Sequence, residues 1–136
     1  DLSLLTDLAL LLWPHHTHEE LSQEFSPLMK EEDTAFFLAR LGDTVIGFAQ
    51  CQLRRDYVEG TSSSPTGYLE GIYVKPGFRR SGIAGRLLKT CENWSRYKGC
   101  SEFASDCELT NQESYLFHRN CGFEEANRII CFVKKL

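Results

Sequence analysis

From Tyr68 to Ala84 the chain reads Tyr-Leu-Glu-Gly-Ile-Tyr-Val-Lys-Pro-Gly-Phe-Arg-Arg-Ser-Gly-Ile-Ala, a strand-like run that passes through a short basic loop into a helix. This pattern builds a cradle for a pyrophosphate. The first amides of a helix lack partners and carry partial positive charge, so phosphate oxygens settle there once the loop brings the backbone close. Gly82 allows that approach because it has no Cβ. Arg79 and Arg80 add charge, and Ser81 is expected to cap the helix with its hydroxyl. Other nucleotide-binding patterns are absent: the chain has neither Gly-x-x-x-x-Gly-Lys-Ser/Thr nor Gly-x-Gly-x-x-Gly.

Around this unit the periodicity predicts an alternation of elements. Leu4, Leu5, Leu8, Leu11 and Leu12 recur at helical spacing until Pro14 stops them, and a second helix is expected over His18 to Met29. Thr34 to Leu41 and Val45 to Arg55 read as strands joined by Gly42-Asp43, a two-residue hairpin signal. Glu59 to Thr66 reads as a loop. Leu69 to Val74 forms the next strand, and the helix from Gly82 to about Lys98 turns Ile83, Leu87, Leu88, Cys91 and Trp94 inward. A short strand at Ser101 to Ser105, a helix at Asn111 to Asn120 and a last strand at Arg128 to Lys134 complete the order. An α/β layer fold follows, with a mixed sheet flanked by helices.

At 136 residues, 42% of them hydrophobic and 25% charged, one domain over residues 1–136 is expected. No apolar run approaches the ~20 residues of a membrane span, and Leu8 to Trp13 lacks the flanks of a signal peptide. The six cysteines show neither C-x-x-C nor zinc spacing, so reduced thiols, a cytoplasmic setting and no metal are expected. A net charge of −4 disfavours nucleic acid and suits a cationic substrate, leaving Arg79 and Arg80 as a local positive island.

The spacing Arg79-x-x-Gly82-x-Ala84, between a strand and a helix, resembles the acetyl-CoA signature of the GNAT acetyltransferase superfamily. Asn111-x-x-Ser114 and His118-x-x-x-Gly122-Phe123 resemble its second cofactor-flanking segment. The resemblance implies acetyl-CoA as co-substrate, held by Ile72, Tyr73 and Val74 at the strand end, by Arg79 to Ala84 including Ile83, and by Asn111 and His118. Many members have tyrosine at the position of His118 as the acid for the departing thiolate; histidine can serve near neutral pH, and is as readily a helix residue bonded to a carbonyl. Members usually begin with a strand before the first helix, and this sequence starts at Asp1 almost inside that helix, so an N-terminal strand is expected to be missing.

Further stretches narrow the resemblance. Trp13, Tyr57-Val58-x-Gly60-Thr61, Tyr68-Leu69-Glu70-Gly71 and Phe103-Ala104-Ser105-Asp106 together resemble the aminoglycoside 6′-N-acetyltransferases from Trp13 to Lys135. Such an enzyme needs carboxylates to hold ammonium groups and to deprotonate the reacting amine. Glu70, which interrupts an apolar strand, and Asp106, at the end of the next, are the main candidates, with Glu108 a weaker third. Trp13, Tyr57 and Tyr68 offer faces for a sugar ring, although a core role for Trp13 is a rival reading. An exposed backbone amide of Ile72 or Tyr73 is expected to polarise the thioester oxygen. The expected activity is acetylation of the 6′-amine of aminoglycosides, hence antibiotic resistance. Acetylation of another amine (protein N-terminus or polyamine) and a non-catalytic acyl-CoA sensor are the alternatives, and a homodimer is left open.

Overall fold

A computed structural model describes residues Asp1–Leu136. Helix α1 (Leu2–Leu12) starts at Asp1, whose carboxylate accepts from the amides of Ser3 and Leu4 at 2.9 and 3.2 Å, and stops before Pro14. Helix α2 (His18–Leu28) is capped by Thr17 and ends with Pro27 in its last turn. Strands β1 (Thr34–Leu41) and β2 (Thr44–Arg54) form the expected hairpin through Gly42-Asp43. Strand β3 (Thr66–Val74) pairs antiparallel with β2, and a 3₁₀ turn at Pro76–Phe78 leads to α3 (Ile83–Tyr97). Strand β4 (Phe103–Ala104) runs parallel to β3, and α4 (Gln112–Asn120) follows. The four strands lie in the order β1-β2-β3-β4.

Each face of the sheet carries its own apolar cluster. On one side Leu5, Leu8 and Ala9 of α1 and Leu21 and Phe25 of α2 pack on Val45 and Phe48. On the other, Leu87, Leu88 and Cys91 of α3 pack on Ala49, Cys51, Leu69 and Val74, with Ile83 and Trp94 at the margin, so the helical stripe read from the sequence is the buried one. At roughly 1.5–3 kcal/mol for each fully buried large aliphatic or phenylalanine side chain, these two layers hold the sheet between them. No helix is long and apolar enough to cross a membrane.

Two predicted strands differ from expectation. The strand at Ser101 to Ser105 shrinks to Phe103–Ala104, because its partner β3 bulges just beyond: Gln50 faces Gly71 while Cys51 faces Leu69, leaving Glu70 as the extra residue. The expected final strand at Arg128 to Lys134 is not formed. Residues 124–136 make no ladder, and Ile129, Ile130, Phe132 and Val133 are 70–94% exposed. Their composition is strand-like, but β4 is too short to offer them an edge within the same chain.

Candidate active site

The bulge in β3 sets the geometry of the site. Leu69 and Ile72 both join the α3-side cluster, so Glu70 and Gly71 between them turn successively to the α1 side. Beyond Tyr68 the short β4 no longer pairs with β3, and the strand edge from Leu69 to Val74 is free. The amide of Lys75 donates to the carbonyl of Ile46 on the β2 side at 2.8 Å. Two-residue alternation therefore turns Tyr73 toward β2 as well, and points the amides of Ile72 and Val74 to the free edge. Of the two amides expected to polarise a carbonyl, the register leaves Ile72 available and uses Tyr73 within the sheet.

The free edge leads directly to the N-terminus of α3. Gly82 is the N-cap, with φ +81°, and a Cβ placed there would meet nothing within 4 Å. Arg80 is also left-handed, at φ 64°, and these two residues fold the loop back in front of the first amides of the helix. This open, basic cup fits a pyrophosphate. Ser81 is not the cap: its hydroxyl donates to the carbonyl of Phe78 at 2.8 Å, because the left-handed Gly82 takes the cap position. Arg79 is exposed but tied back; its Nε–H donates to the carbonyl of Val74 at 2.8 Å and its guanidinium lies 5.3 Å from the centre of the Tyr73 ring. It thus fixes the strand end to the loop, while exposed Arg80 is left facing solvent. Ile83 and Ala84 open α3 and pack against the sheet.

On the α1 side of β3 the polar residues converge. Tyr68 is buried, and its hydroxyl donates to Oδ2 of Asp106; burial above all, and then this bond, push the phenol well above its usual range. Tyr68 thereby braces the carboxylate. Arg54, from the end of β2, reaches over the Tyr68 ring with its guanidinium carbon 3.4 Å from the centroid and holds both oxygens of Glu70, at 2.6 and 3.1 Å. Asp106 is exposed beyond the tip of β4, with Cys107 and Glu108 beside it, equally exposed.

The remaining candidates divide. Tyr57 is exposed and donates to Glu59 at 2.8 Å, which raises its phenol; Glu59 in turn is held below the usual carboxylate range by Asn127 first and Tyr57 second. Trp13 packs edge-on against Phe25 and Phe48, and its indole lies over Gly71 so closely that a Cβ there would sit 2.7 Å from the ring. It is partly buried against that cluster, and Gly71 is glycine to admit it. Asn111 caps α4 through Oδ1, accepting from Ser114 at 3.1 Å. His118 is tied at both ring nitrogens. A carbonyl can only accept, so Nδ1–H donates to Ser114 O at 2.7 Å, and Nε2 then accepts from the Ser105 hydroxyl at 2.8 Å. The helix-anchored alternative for His118 is the one this geometry favours over a thiolate acid. No group of three His, Cys, Asp or Glu side chains converges as a metal site.

Arg54 and Ser105 belong to the site without having been flagged by the sequence. The signal for Arg54 was present in its parity: Gln50, Gln52 and Arg54 alternate with the α3-side Ala49, Cys51 and Leu53, so Arg54 shares a face with Tyr68.

A mixed sheet splayed beside a helix N-terminus, with carboxylates at the splay, defines the class of CoA-dependent acyltransferases. The model of the acetyltransferase (GNAT) family matches residues 2–123, and the chain belongs to that family. It is 40% identical over 133 residues to an aminoglycoside N(6′)-acetyltransferase type 1 of Stenotrophomonas maltophilia, covering 97% of this chain and 86% of that protein. With the enzyme of the same name from Acinetobacter genomosp. 13 it shares 42% identity, over 98% of this chain and 94% of the other. Among solved structures, AAC(6′)-Iy in complex with the bisubstrate analogue CoA-S-monomethyl-acetylneamine superposes with a TM-score of 0.95 at 37% identity, over 99% of this chain and 92% of that one. The aminoglycoside 6′-N-acetyltransferase AAC(6′)-Ih of Acinetobacter baumannii superposes with a TM-score of 0.93 at 40% identity, again over 99% and 92%.

Proposed function

We propose that this chain transfers the acetyl group of acetyl-CoA to the 6′-amine of aminoglycosides by direct attack. The observation that carries this reading is the free edge of β3, which has the phosphate cup of α3 at one end and the carboxylates Glu70 and Asp106 at the other. Acetyl-CoA supplies an activated thioester. The cup formed by Arg80, Gly82 and the first amides of α3 holds its pyrophosphate, and the Ile72 amide faces the thioester oxygen as negative charge develops there. Asp106 receives the proton of the incoming ammonium, and the neutral amine attacks. The departing thiolate, with an ordinary thiol pKa of about 8.5, leaves without an obligatory acid, as the tethering of His118 requires. Cys107 has no imidazole beside it to make it a nucleophile, since the nitrogens of His118 are engaged.

The named relatives support this acceptor, and the two carboxylates disfavour a non-catalytic sensor. A thiol-release assay with acetyl-CoA over a panel of amines tests it, with NMR and mass spectrometry of the product. An aminoglycoside bearing a 6′-amine is expected to be acetylated there, and its 6′-hydroxyl counterpart to bind without comparable turnover, since a carboxylate cannot free an alcohol of its proton. Robust acetylation of peptides or simple polyamines, with none on aminoglycosides, would transfer the chain to the other-amine reading. A cytoplasmic setting is part of this proposal, since six cysteines with no disulfide among them suit a reducing compartment.

A homodimer is part of the same reading. Ile129, Ile130, Phe132 and Val133 form a strand-like apolar run with no cover in the chain. A second copy supplies the edge this run lacks. Analytical ultracentrifugation is expected to give a dimer that becomes a monomer when Ile130 and Phe132 are both changed to Asp; a wild-type monomer at micromolar concentration would exclude it.

A further inference from the structure

In the free protein Glu70 is already neutralised by the chain itself. Arg54 places Nη2 at 2.6 and 3.1 Å from its two oxygens and Nε at 3.1 Å from one of them, with the guanidinium flat over Tyr68. A cation held between a carboxylate and an aromatic face is the chemistry by which a site recognises a cationic ligand. Here the cation comes from β2. The pair is not sealed: the side chains of Arg54 and Glu70 are 38% and 20% exposed. A depression of about 360 Å³, lined by Gln52, Leu53, Arg54, Arg55, Asp56 and Tyr57, opens alongside. Arg54 itself lines this depression, so a guanidinium that swings away from Glu70 has room beside it.

Resting on the functional reading above, we infer that Arg54 is an internal stand-in for an acceptor ammonium, holding Glu70 in the free enzyme and releasing it when a polycationic acceptor enters. Three consequences follow from the contacts. Glu70 is preserved as a charge partner without being left unpaired beside apolar strand residues, which would be costly. Departure of Arg54 uncovers the face of Tyr68 for the aminosugar at the moment its ammonium reaches Glu70. Tyr68 does not itself move, because its hydroxyl stays bonded to Asp106. Arg54 is thus a positioning residue that acts through Glu70 and Tyr68, and every acceptor that uses Glu70 must first displace it.

Arg54→Met tests this, since it keeps an aliphatic stem on Tyr68 and removes the competing charge. The KM for an aminoglycoside with a 6′-amine is expected to fall roughly three- to tenfold, the range of a partly exposed charge-assisted pair, with acetyl-CoA affinity unchanged. A purely structural brace would give the opposite sign; a KM that is unchanged or raised in a folded variant overturns the inference. The wild-type enzyme supplies an independent measurement if that variant does not fold. The Arg54 Nε–H resonance, which reports the bond to Glu70 at 3.1 Å, is expected to shift when aminoglycoside is added. A resonance that stays put while the aminoglycoside is acetylated overturns the role of Arg54 alone, whereas absence of acetylation across the panel overturns the functional reading beneath it.

Discussion

Asp106→Asn is expected to lower kcat for the 6′-amine by roughly 10²–10⁴-fold, the range of a lost general base, while the protein stays folded and binds acetyl-CoA as before. The acceptor amine arrives protonated, and the reaction cannot begin until that proton has gone to a nearby group. Two carboxylates stand at the site, and the roles proposed for them follow from their different surroundings. Glu70 has both oxygens on the guanidinium of Arg54. Asp106 is exposed, and its one side-chain partner is the Tyr68 hydroxyl, which donates to Oδ2 and leaves Oδ1 free to accept a proton. Asparagine preserves the size of the side chain and an acceptor for Tyr68 but cannot take the proton. Glu70→Gln, by contrast, is expected to act mainly through KM, because it removes a holder of ammonium groups. Steady-state kinetics on both variants separates the two effects. An Asn variant with kcat within a few-fold of wild type would remove Asp106 from the chemistry and leave a water, or Glu70 after release from Arg54, as the proton acceptor.

The division of labour proposed for these carboxylates could not be read from the sequence, although both residues could. Glu70 is conspicuous as a charge inside Tyr68–Val74, and Asp106 follows a short apolar strand. What distinguishes them is contacts with Arg54 and Tyr68 that cross from β2 to β3 and from β3 to the end of β4, and local pattern carries no information about such cross-strand neighbours. The hairpin at Gly42-Asp43, the stripe of α3 and the glycine-bearing loop were legible because each is set by residues close in sequence. Elsewhere tertiary context prevailed. Ser81 has the look of a cap, yet the left-handed glycine after it takes that position. The run from Arg128 to Lys134 has strand composition, and composition alone cannot supply the partner edge a strand needs.

Gly82→Val is expected to weaken acetyl-CoA binding by roughly 10–100-fold; of the two independent costs that fall on this position, only the second acts on the cofactor. The first is conformational: φ is +81°, and a β-branched L-residue held in the left-handed region costs about 1–2 kcal/mol, which appears as a lower Tm whether or not the cofactor is present. The second is specific to the ligand. A Cβ at this position meets no protein atom within 4 Å, so the added branches project into the open cup in front of the first amides of α3. A pyrophosphate displaced from that cup loses charge-assisted bonds worth about 1.5–3 kcal/mol each, and the loss of one of them accounts for the expected fold-change. Gly82→Ala separates the two costs, since its single methyl incurs most of the backbone strain and little of the obstruction. Calorimetric titration of acetyl-CoA should therefore show affinity falling steeply from Ala to Val while the Tm values of the two variants stay close. A folded Val variant with wild-type affinity would mean that the pyrophosphate lies away from the α3 N-terminus, and the basic loop would then be only a turn into the helix.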